Sequence, residues 1–355
     1  MGELERFRRE IDEVDSEILR LLNRRAEIAQ KIGEIKRQEG INFHSPEREM
    51  EIVERLRELN QGPFPDEALR AVYREILSAS ISLEKPLNIA YFGLAGSFTH
   101  LAAMMRFGSS VQYLSQESIK KVFDAVEKGK ADYGVVPIEN STEGVVNYTL
   151  DMFIDSELKI ASEIMTEINH NLLSKTGKKE DIKIIYSHPQ PTAQCKNWLE
   201  ENMPDIEIKE ATSTTRAAEL ASRDPSAAAI ASELAASLYD LKYVEKNIGD
   251  ITDNYTRFLV IAQSFPSRSG KDKTSILFSV KDRPGALYSI LQPFAKGGIN
   301  LTKIESRPSR RKAWEYIFFV DMQGHVQDDA VRNAIEEMKE GCLYLKILGS
   351  YPSAE

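Results

Sequence analysis

Two stretches of this chain hold residue types that do chemistry. The first is Asp250-Ile251-Thr252-Asp253-Asn254-Tyr255-Thr256-Arg257-Phe258-Leu259-Val260-Ile261, where a crowded polar run passes straight into an apolar, β-branched one. Such a junction reads as a loop feeding a buried strand. It sets hydroxyls, amides and one guanidinium at a strand end, where α/β domains usually hold their ligands. A surface loop ahead of an ordinary core strand is the alternative. The second stretch holds two cations on a helical pattern. Arg25 is seven residues from both Ile18 and Ile32, so it lies on the apolar stripe, and Lys36 follows eleven residues later, about three turns on. A buried charge without a partner is costly, so these groups need each other or a ligand. A dimeric coiled coil with buried pairs satisfies the same pattern.

The totals narrow the classes. At 355 residues the chain calls for two or three domains. A hydrophobic share of 42% with 28% charged residues is that of a soluble globular protein. A net charge of -9 argues against nucleic acid, whose phosphates need a basic face; a small anion needs only a local basic pocket. The N-terminus alternates acids and bases, unlike a signal peptide, and no apolar run is long enough to span a bilayer. Cys195 and Cys342 form no disulfide framework or metal spacing, and the five histidines (His44, His100, His170, His188, His325) are scattered. The expectation is a cytoplasmic protein with no metal and no cofactor, binding neither nucleic acid nor membrane.

The elements that must position these groups come next. Apolar residues recur at helical spacing over 4–36 (Ile11, Val14, Ile18, Leu21, Leu22, Ile28, Ile32, Ile35), with no glycine or proline before Gly33. A second helix is expected to start at Ser45-Pro46, an N-cap followed by proline. Asn60-Gln61-Gly62-Pro63-Phe64-Pro65 interrupts, and a third helix is expected over 66–84, with Leu69, Tyr73, Ile76, Ser80 and Glu84 on one face. A lone helix as long as the first has little to bury itself against, so self-association is expected.

Arg8, Arg25, Lys36, Arg48, Glu49, Ser80 and Glu84 fall in an order that resembles the active-site set of the all-helical chorismate mutases, over roughly residues 1–85. The resemblance implies a pocket shared by two intertwined chains, with Arg8 entering from the partner. It implies Arg25 and Arg8 on the carboxylates of chorismate, a dicarboxylate that arginines suit as bidentate clamps. Lys36 and Glu84 would then flank the ether oxygen, where charge develops during a rearrangement that needs no nucleophile. Two positions depart from the pattern: Ser45 stands where many relatives carry an acid, and Glu84 where some carry Gln. A carboxylate cannot donate to an ether oxygen, so Glu84 is expected to work protonated.

Composition shifts at Lys85-Pro86 to alternating strand and helix patterns. Strands are expected over 87–92, 133–137, 182–186, 206–211 and 227–231. Polar runs follow them: Gly93 to Thr99, Ile138-Glu139-Asn140-Ser141-Thr142-Glu143-Gly144, Ser187-His188-Pro189-Gln190 with Gln194, and Ser213-Thr214-Thr215. The pattern gives two α/β lobes whose polar strand ends face one another, similar to the hinged solute-binding proteins of the periplasm. His188 and Cys195 are close in sequence, but no orienting acid or oxyanion arrangement accompanies them, so a thiol nucleophile is not expected.

The runs Gly93 to Thr99, Pro137 to Gly144, Ser187 to Gln190 with Gln194, and Thr256 to Phe258 together resemble the prephenate dehydratase pattern over about residues 86–264. That resemblance implies Asn140, Ser187, Gln194 and Thr256 around prephenate, with Arg257 as a carboxylate partner. Thr256 is expected to protonate the leaving hydroxyl as donor or relay, with Glu139 setting its hydrogen bond.

After a polar linker over 265–273, the pattern runs strand (274–280), helix (284–296), strand (300–305), strand (314–322), helix (328–339), strand (343–348), the split order of a ferredoxin-like α+β domain. Dimerisation alone would account for such a module. Gly285-Ala286-Leu287-Tyr288 and Glu305-Ser306-Arg307-Pro308 resemble the effector-binding runs of ACT domains joined to prephenate dehydratases, which implies phenylalanine bound between paired domains. Tyr288 replaces the smaller residue of some relatives.

The chain is therefore expected to be multidomain: an all-α mutase bundle (1–85), a two-lobed α/β dehydratase (86–264) and a ferredoxin-like ACT domain (270–355). The activities implied are chorismate to prephenate and prephenate to phenylpyruvate, in a homodimer or higher oligomer inhibited by phenylalanine. Two alternatives remain at this stage: a dehydratase with a structural helical arm, and a non-catalytic two-lobed small-molecule binder.

Overall fold

The computed structural model describes residues 2–39, 46–308 and 316–354. Ser45, the expected N-cap, and Trp314, the expected first residue of a strand, lie outside them. By contacts the chain divides into two compact units, 1–88 with 104–112, and 89–103 with 113–355.

The first unit is helical: α1 (Glu3–Glu39), α2 (Pro46–Leu59) and α3 (Asp66–Glu84). The 60–65 breaker is closed by Asn60, whose amide donates to Phe64 O and Asp66 Oδ1, both at 2.8 Å. Gly33 explains itself here. A Cβ at that position would stand 3.0 Å from Glu84 Cβ and 3.2 Å from Glu84 Cα, so the missing side chain lets α3 approach α1 beside Lys36. Most of the apolar stripe of α1 finds no cover among the described residues. Leu4, Ile11, Val14, Ile18, Ile28, Ile32 and Ile35 are all exposed, and among the described residues of α1 only Ala29 and Gly33 are buried.

Next come β1 (Asn88–Phe92), α4 (Phe98–Phe107) and β2 (Gln112–Gln116), of which residues 88 and 104–112 count with the first unit; the second unit continues with α5 (Ile119–Glu127), β3 (Tyr133–Asn140), β4 (Gly144–Val145), α6 (Asn147–Asp155) and β5 (Lys159–Glu167). The chain then crosses to β6 (Asn171–Ser174), β7 (Ile184–Ser187), α7 (Pro189–Gln194), α8 (Lys196–Asn202), β8 (Glu207–Glu210), α9 (Thr214–Ser222), β9 (Ala227–Ala231), α10 (Glu233–Leu238) and β10 (Lys242–Glu245). It returns as β11 (Tyr255–Ala262). The first lobe holds the sheet β2-β1-β3-β11-β5 with β4 beside β3, and the second holds β10-β6-β9-β7-β8. β1 and β3 run parallel, and β11 comes back antiparallel between β3 and β5. Its start therefore lies against the end of β3. The two crossings, at 168–170 and 246–254, are tied to each other by Ile248 N to His170 O (2.8 Å) and Ile168 N to Asn254 O (2.7 Å).

The remaining elements are β12 (Asp272–Val280), α11 (Ala286–Lys296), β13 (Leu301–Pro308), β14 (Tyr316–Gln323), α12 (Asp329–Lys339) and β15 (Cys342–Pro352), with sheet order β13-β14-β12-β15. This is the expected ferredoxin-like arrangement. One face packs its own helices through Ile276, Phe278, Phe294 and Met338. The other continues the core of the first lobe: Leu277, Phe319, Leu348 and Tyr351 share one cluster with Val136, Phe153 and Ile160. At the seam, a Cβ on Gly349 would stand 2.3 Å from Ile160 O, so glycine permits the two backbones to meet.

Candidate functional site

Polar groups converge in two places. On the helical unit, α1 and α3 bring together four residues that helical spacing sets on their facing sides. Arg25 Nη1 donates to Ser80 Oγ, while Ser80 Oγ donates back to Ile76 O at 2.7 Å. One turn further along α3, Lys36 Nζ meets Glu84 Oε2 at 3.0 Å, with the Glu84 side chain 8% exposed. A guanidinium, a hydroxyl, an ammonium and a carboxyl thus line one seam, where a dianion finds two cations and an ether oxygen finds a donor. The other expected members are placed differently. Arg8 is exposed and pairs with Glu5, seventeen residues or about 26 Å up the helix from Arg25. Arg48 pairs with Glu51, and the Glu49 carboxylate accepts from Arg106 Nη1 at 2.9 Å.

The second convergence lies between the lobes of the other unit. Asn140 closes β3 rather than standing beyond it, and Thr256 is the second residue of β11; the register pairs them. Asn140 Nδ2 donates to Thr256 Oγ1 and to Asn254 Oδ1, both at 2.8 Å. Asn140 Oδ1 accepts from Thr142 N (3.0 Å), Thr142 Oγ1 (2.6 Å) and Glu143 N (3.1 Å). With both ends of the amide engaged, its orientation is fixed. Because Asn140 occupies one lone pair of Thr256 Oγ1, the hydroxyl proton remains as the group Thr256 offers.

Gln194, at the end of α7 in the second lobe, reaches the same network. Its Nε2 donates to Thr142 Oγ1 at 3.2 Å and Glu143 Oε1 at 3.4 Å, and its Oε1 accepts from Asn254 Nδ2 at 3.4 Å. His170, on the first crossing, donates from Nε2 to Gln194 Oε1 at 2.7 Å. Burial lowers the His170 pKa, against the raising effect of the Gln194 contact, so the ring is held neutral and this bond fixes its tautomer. Phe98, from the glycine turn, meets the His170 ring edge-on at 5.7 Å. Phe98 also lines a cavity of about 250 Å³ with Asn169, Asn171 and Lys246.

Three expectations need correction. Arg257 does not face the cleft. Successive residues of a strand point to opposite sides, so when Thr256 faces the cleft Arg257 must face away. Its Nε donates to Glu163 Oε2 (2.7 Å), its Nη1 to Asp321 Oδ2 (2.6 Å) and its Nη2 to Tyr351 Oη (3.1 Å). Burial works against that charge, but Tyr351, Asp321 and Glu163 outweigh it and raise the pKa. Glu139 is turned away for the same reason: it pairs with Lys303 at 2.6 Å and does not reach Thr256. Arg307, expected at an effector site, points its guanidinium at Asp151 of α6, 3.3 Å away.

Ser187 is buried, and its hydroxyl donates to His188 O at 3.0 Å, back into its own turn. His188 caps α7 by accepting from Gln190 N, Ser213 caps α9, and burial followed by Asp250 pushes the Cys195 thiol up to about 12. That thiol is no nucleophile. The sequence pattern does not single out Asn254, Thr142 or His170. Asn254 and Thr142 stand inside the polar runs described above, whereas His170 has no signal beyond its residue type. In the C-terminal module, Gly285 takes a left-handed φ of 77° at the start of α11, Ala286 is buried, Leu287 packs on the sheet and Tyr288 is exposed. Glu305, Ser306, Arg307 and Pro308 all lie within β13.

Comparison with known proteins agrees with this division. Residues 7–85 match the chorismate mutase type II family, 89–265 the prephenate dehydratase family and 274–340 the ACT domain family. A bifunctional chorismate mutase/prephenate dehydratase of Aquifex aeolicus (strain VF5) is 53% identical, covering 100% of this chain and 99% of its own. Among solved structures, the prephenate dehydratase of Arthrobacter aurescens in complex with L-Phe is 34% identical over 75% of this chain and 90% of its own, with a TM-score of 0.69. GqqA, described as a novel type of quorum quenching acylase, is 28% identical over 75% of this chain and 98% of its own, with the same TM-score.

Proposed function

Because the chain belongs to the bifunctional chorismate mutase/prephenate dehydratase family, we infer that it rearranges chorismate to prephenate on its helical unit and turns prephenate into phenylpyruvate between its two lobes. In the first step a C–O bond breaks as a C–C bond forms, with no nucleophile. Arg25 takes a substrate carboxylate, and Lys36 with Glu84 takes the ether oxygen as charge grows on it. Arg8 comes from a second copy, whose α1 covers the apolar stripe left exposed here. Arg48 and Glu49 on α2 complete the pocket.

In the second step the ring carboxylate leaves as carbon dioxide. Its bonding electrons aromatise the ring and expel hydroxide, which must be protonated. The observation that carries this half is the 2.8 Å contact of Asn140 with Thr256, which turns the Thr256 hydroxyl proton toward the leaving group. Thr256 is a relay rather than the ultimate acid, since an aliphatic hydroxyl is a weak one. Gln194 and Ser187 hold the substrate from the second lobe, Ser187 by turning its hydroxyl out of its present bond when the lobes grip the ligand. Phenylalanine is the effector, in keeping with the L-Phe complex of the Arthrobacter aurescens relative; its seat lies between paired C-terminal domains at 285–288 and 305–306, with Arg307 turned to Asp151 instead. The assembly is a homodimer or a higher homo-oligomer in the cytoplasm, in keeping with two unpaired cysteines and no described helix long and apolar enough to cross a membrane.

The test is to give purified protein chorismate and follow loss of the enol-ether absorbance, then appearance of phenylpyruvate. Both signals are expected in that order. Inert chorismate with prephenate still dehydrated would reduce the helices to a structural arm, and no turnover of either would leave a binding protein.

A further inference from the structure

The strands that meet at Asn140 and Thr256 carry a second matched pair one residue away. The register aligns Thr256 with Asn140 and Arg257 with Glu139. The first pair looks into the cleft and the second emerges from the back of the sheet. There the C-terminal sheet receives both. Lys303 of β13 holds Glu139 at 2.6 Å, and Asp321 of β14 holds Arg257 at 2.6 Å. β13 and β14 are hydrogen-bonded neighbours, so the two grips come from adjacent strands of one sheet. The pairing of β11 with β3 is irregular between Arg257 and Phe258. That shift sets the Thr256–Arg257 end apart from the rest of the β3 ladder, while the ladder to β5 runs through both residues unbroken, so the end moves as one piece with β5 and with what grips it from behind.

We propose that Glu139 and Arg257 are positioning residues for the dehydration step, through which Lys303 and Asp321 set the spacing of Asn140 and Thr256. This rests on the reading that the Asn140–Thr256 pair serves the chemistry. A strand residue cannot shift its root without carrying its neighbour, so a displacement of β13 or β14 behind the sheet becomes a displacement of amide against hydroxyl in front of it. β13 is also the strand that carries 305–308. An effector that moves β13 thereby reaches the cleft through the Lys303–Glu139 ion pair, with no change in the second lobe. That is a coupling between two sites with a named carrier.

Arg257 is a poor first target, because its removal leaves Glu163 and Asp321 buried without it. Lys303→Met keeps the stem and drops the charge, Glu139→Gln keeps the shape, and Lys303→Arg restores the pair. In the full-length protein, Lys303→Met and Glu139→Gln should each lower kcat for prephenate on the order of tenfold or more, with KM within about twofold. The double variant should be no worse than the poorer single, and Lys303→Arg should recover most of kcat. Inhibition by phenylalanine should weaken in Lys303→Met, while the rate with chorismate stays that of the parent. Thr256→Val is assayed alongside. If Thr256→Val is impaired while Lys303→Met and Glu139→Gln keep the parent kcat, or if Lys303→Arg is as poor as Lys303→Met, the positioning role is wrong and the Thr256 reading stands. Parent-like turnover by Thr256→Val would sink the Thr256 reading itself, and this proposal with it.

Discussion

Glu84 and Lys36 illustrate what one residue type can and cannot do. Lys36 brings three donors and no acceptor, so it can serve the ether oxygen directly. Glu84 donates only while it carries a proton. The two meet at 3.0 Å on a seam that Gly33 keeps narrow, so a single atom placed there is within reach of both. Glu84→Gln, whose amide supplies the donor, should keep mutase kcat/KM within a few-fold of the parent, whereas Glu84→Ala should lose it on the order of a hundredfold. Parent-like turnover by Glu84→Ala would show that no donor is needed from this position. The kinds of residue at this seam were legible from sequence because helical spacing fixes which side chains share a face, and Arg25, Lys36, Ser80 and Glu84 do converge. Direction on the strands was less legible. Thr256 and Arg257 sit side by side in one polar run, and only the packing of β11 between β3 and β5 decides which of them meets the cleft.

At the scale of elements, β5 and β15 are where two domains become one body. The two strands belong to different sheets, yet Lys159 Nζ donates to Ile347 O at 2.9 Å, and Gly349 brings the backbones together. Gly349→Ala would force a Cβ onto the Ile160 carbonyl, a rigid neighbour, at a cost of about 1–3 kcal/mol. The expected result is a lowered thermal midpoint of the second unit together with altered dehydratase kinetics, with mutase kinetics retained; an unchanged midpoint in calorimetry would contradict the seam. This contact had no sequence signature. The third helix was read at its observed bounds because a proline-rich break opens it, and the split strand–helix order marked the C-terminal sheet. β2, β4, β5, β6 and β10 have no counterpart among the strands that the sequence pattern predicts, and β5 and β10 show why. β10 is a short, polar edge strand, and β5 owes its burial to neighbours on both faces, so neither shows a clean alternation.

Over the whole molecule, the two chemistries occupy different compact units, while the C-terminal sheet shares a core with the lobe that carries Asn140 and Thr256. Regulation of the second step thus has a short physical route. The central claim is that each convergence of polar groups performs its own reaction. Full-length Lys36→Met and Thr256→Val proteins, each given chorismate and separately prephenate, measure this directly. Lys36→Met should leave chorismate unconsumed, with its rate down on the order of a hundredfold, while dehydrating supplied prephenate at the parent rate. Thr256→Val should consume chorismate normally and accumulate prephenate, with the second step down by a similar factor. Phenylpyruvate formed at the parent rate by Thr256→Val, or loss of both activities together in either protein, would contradict the account.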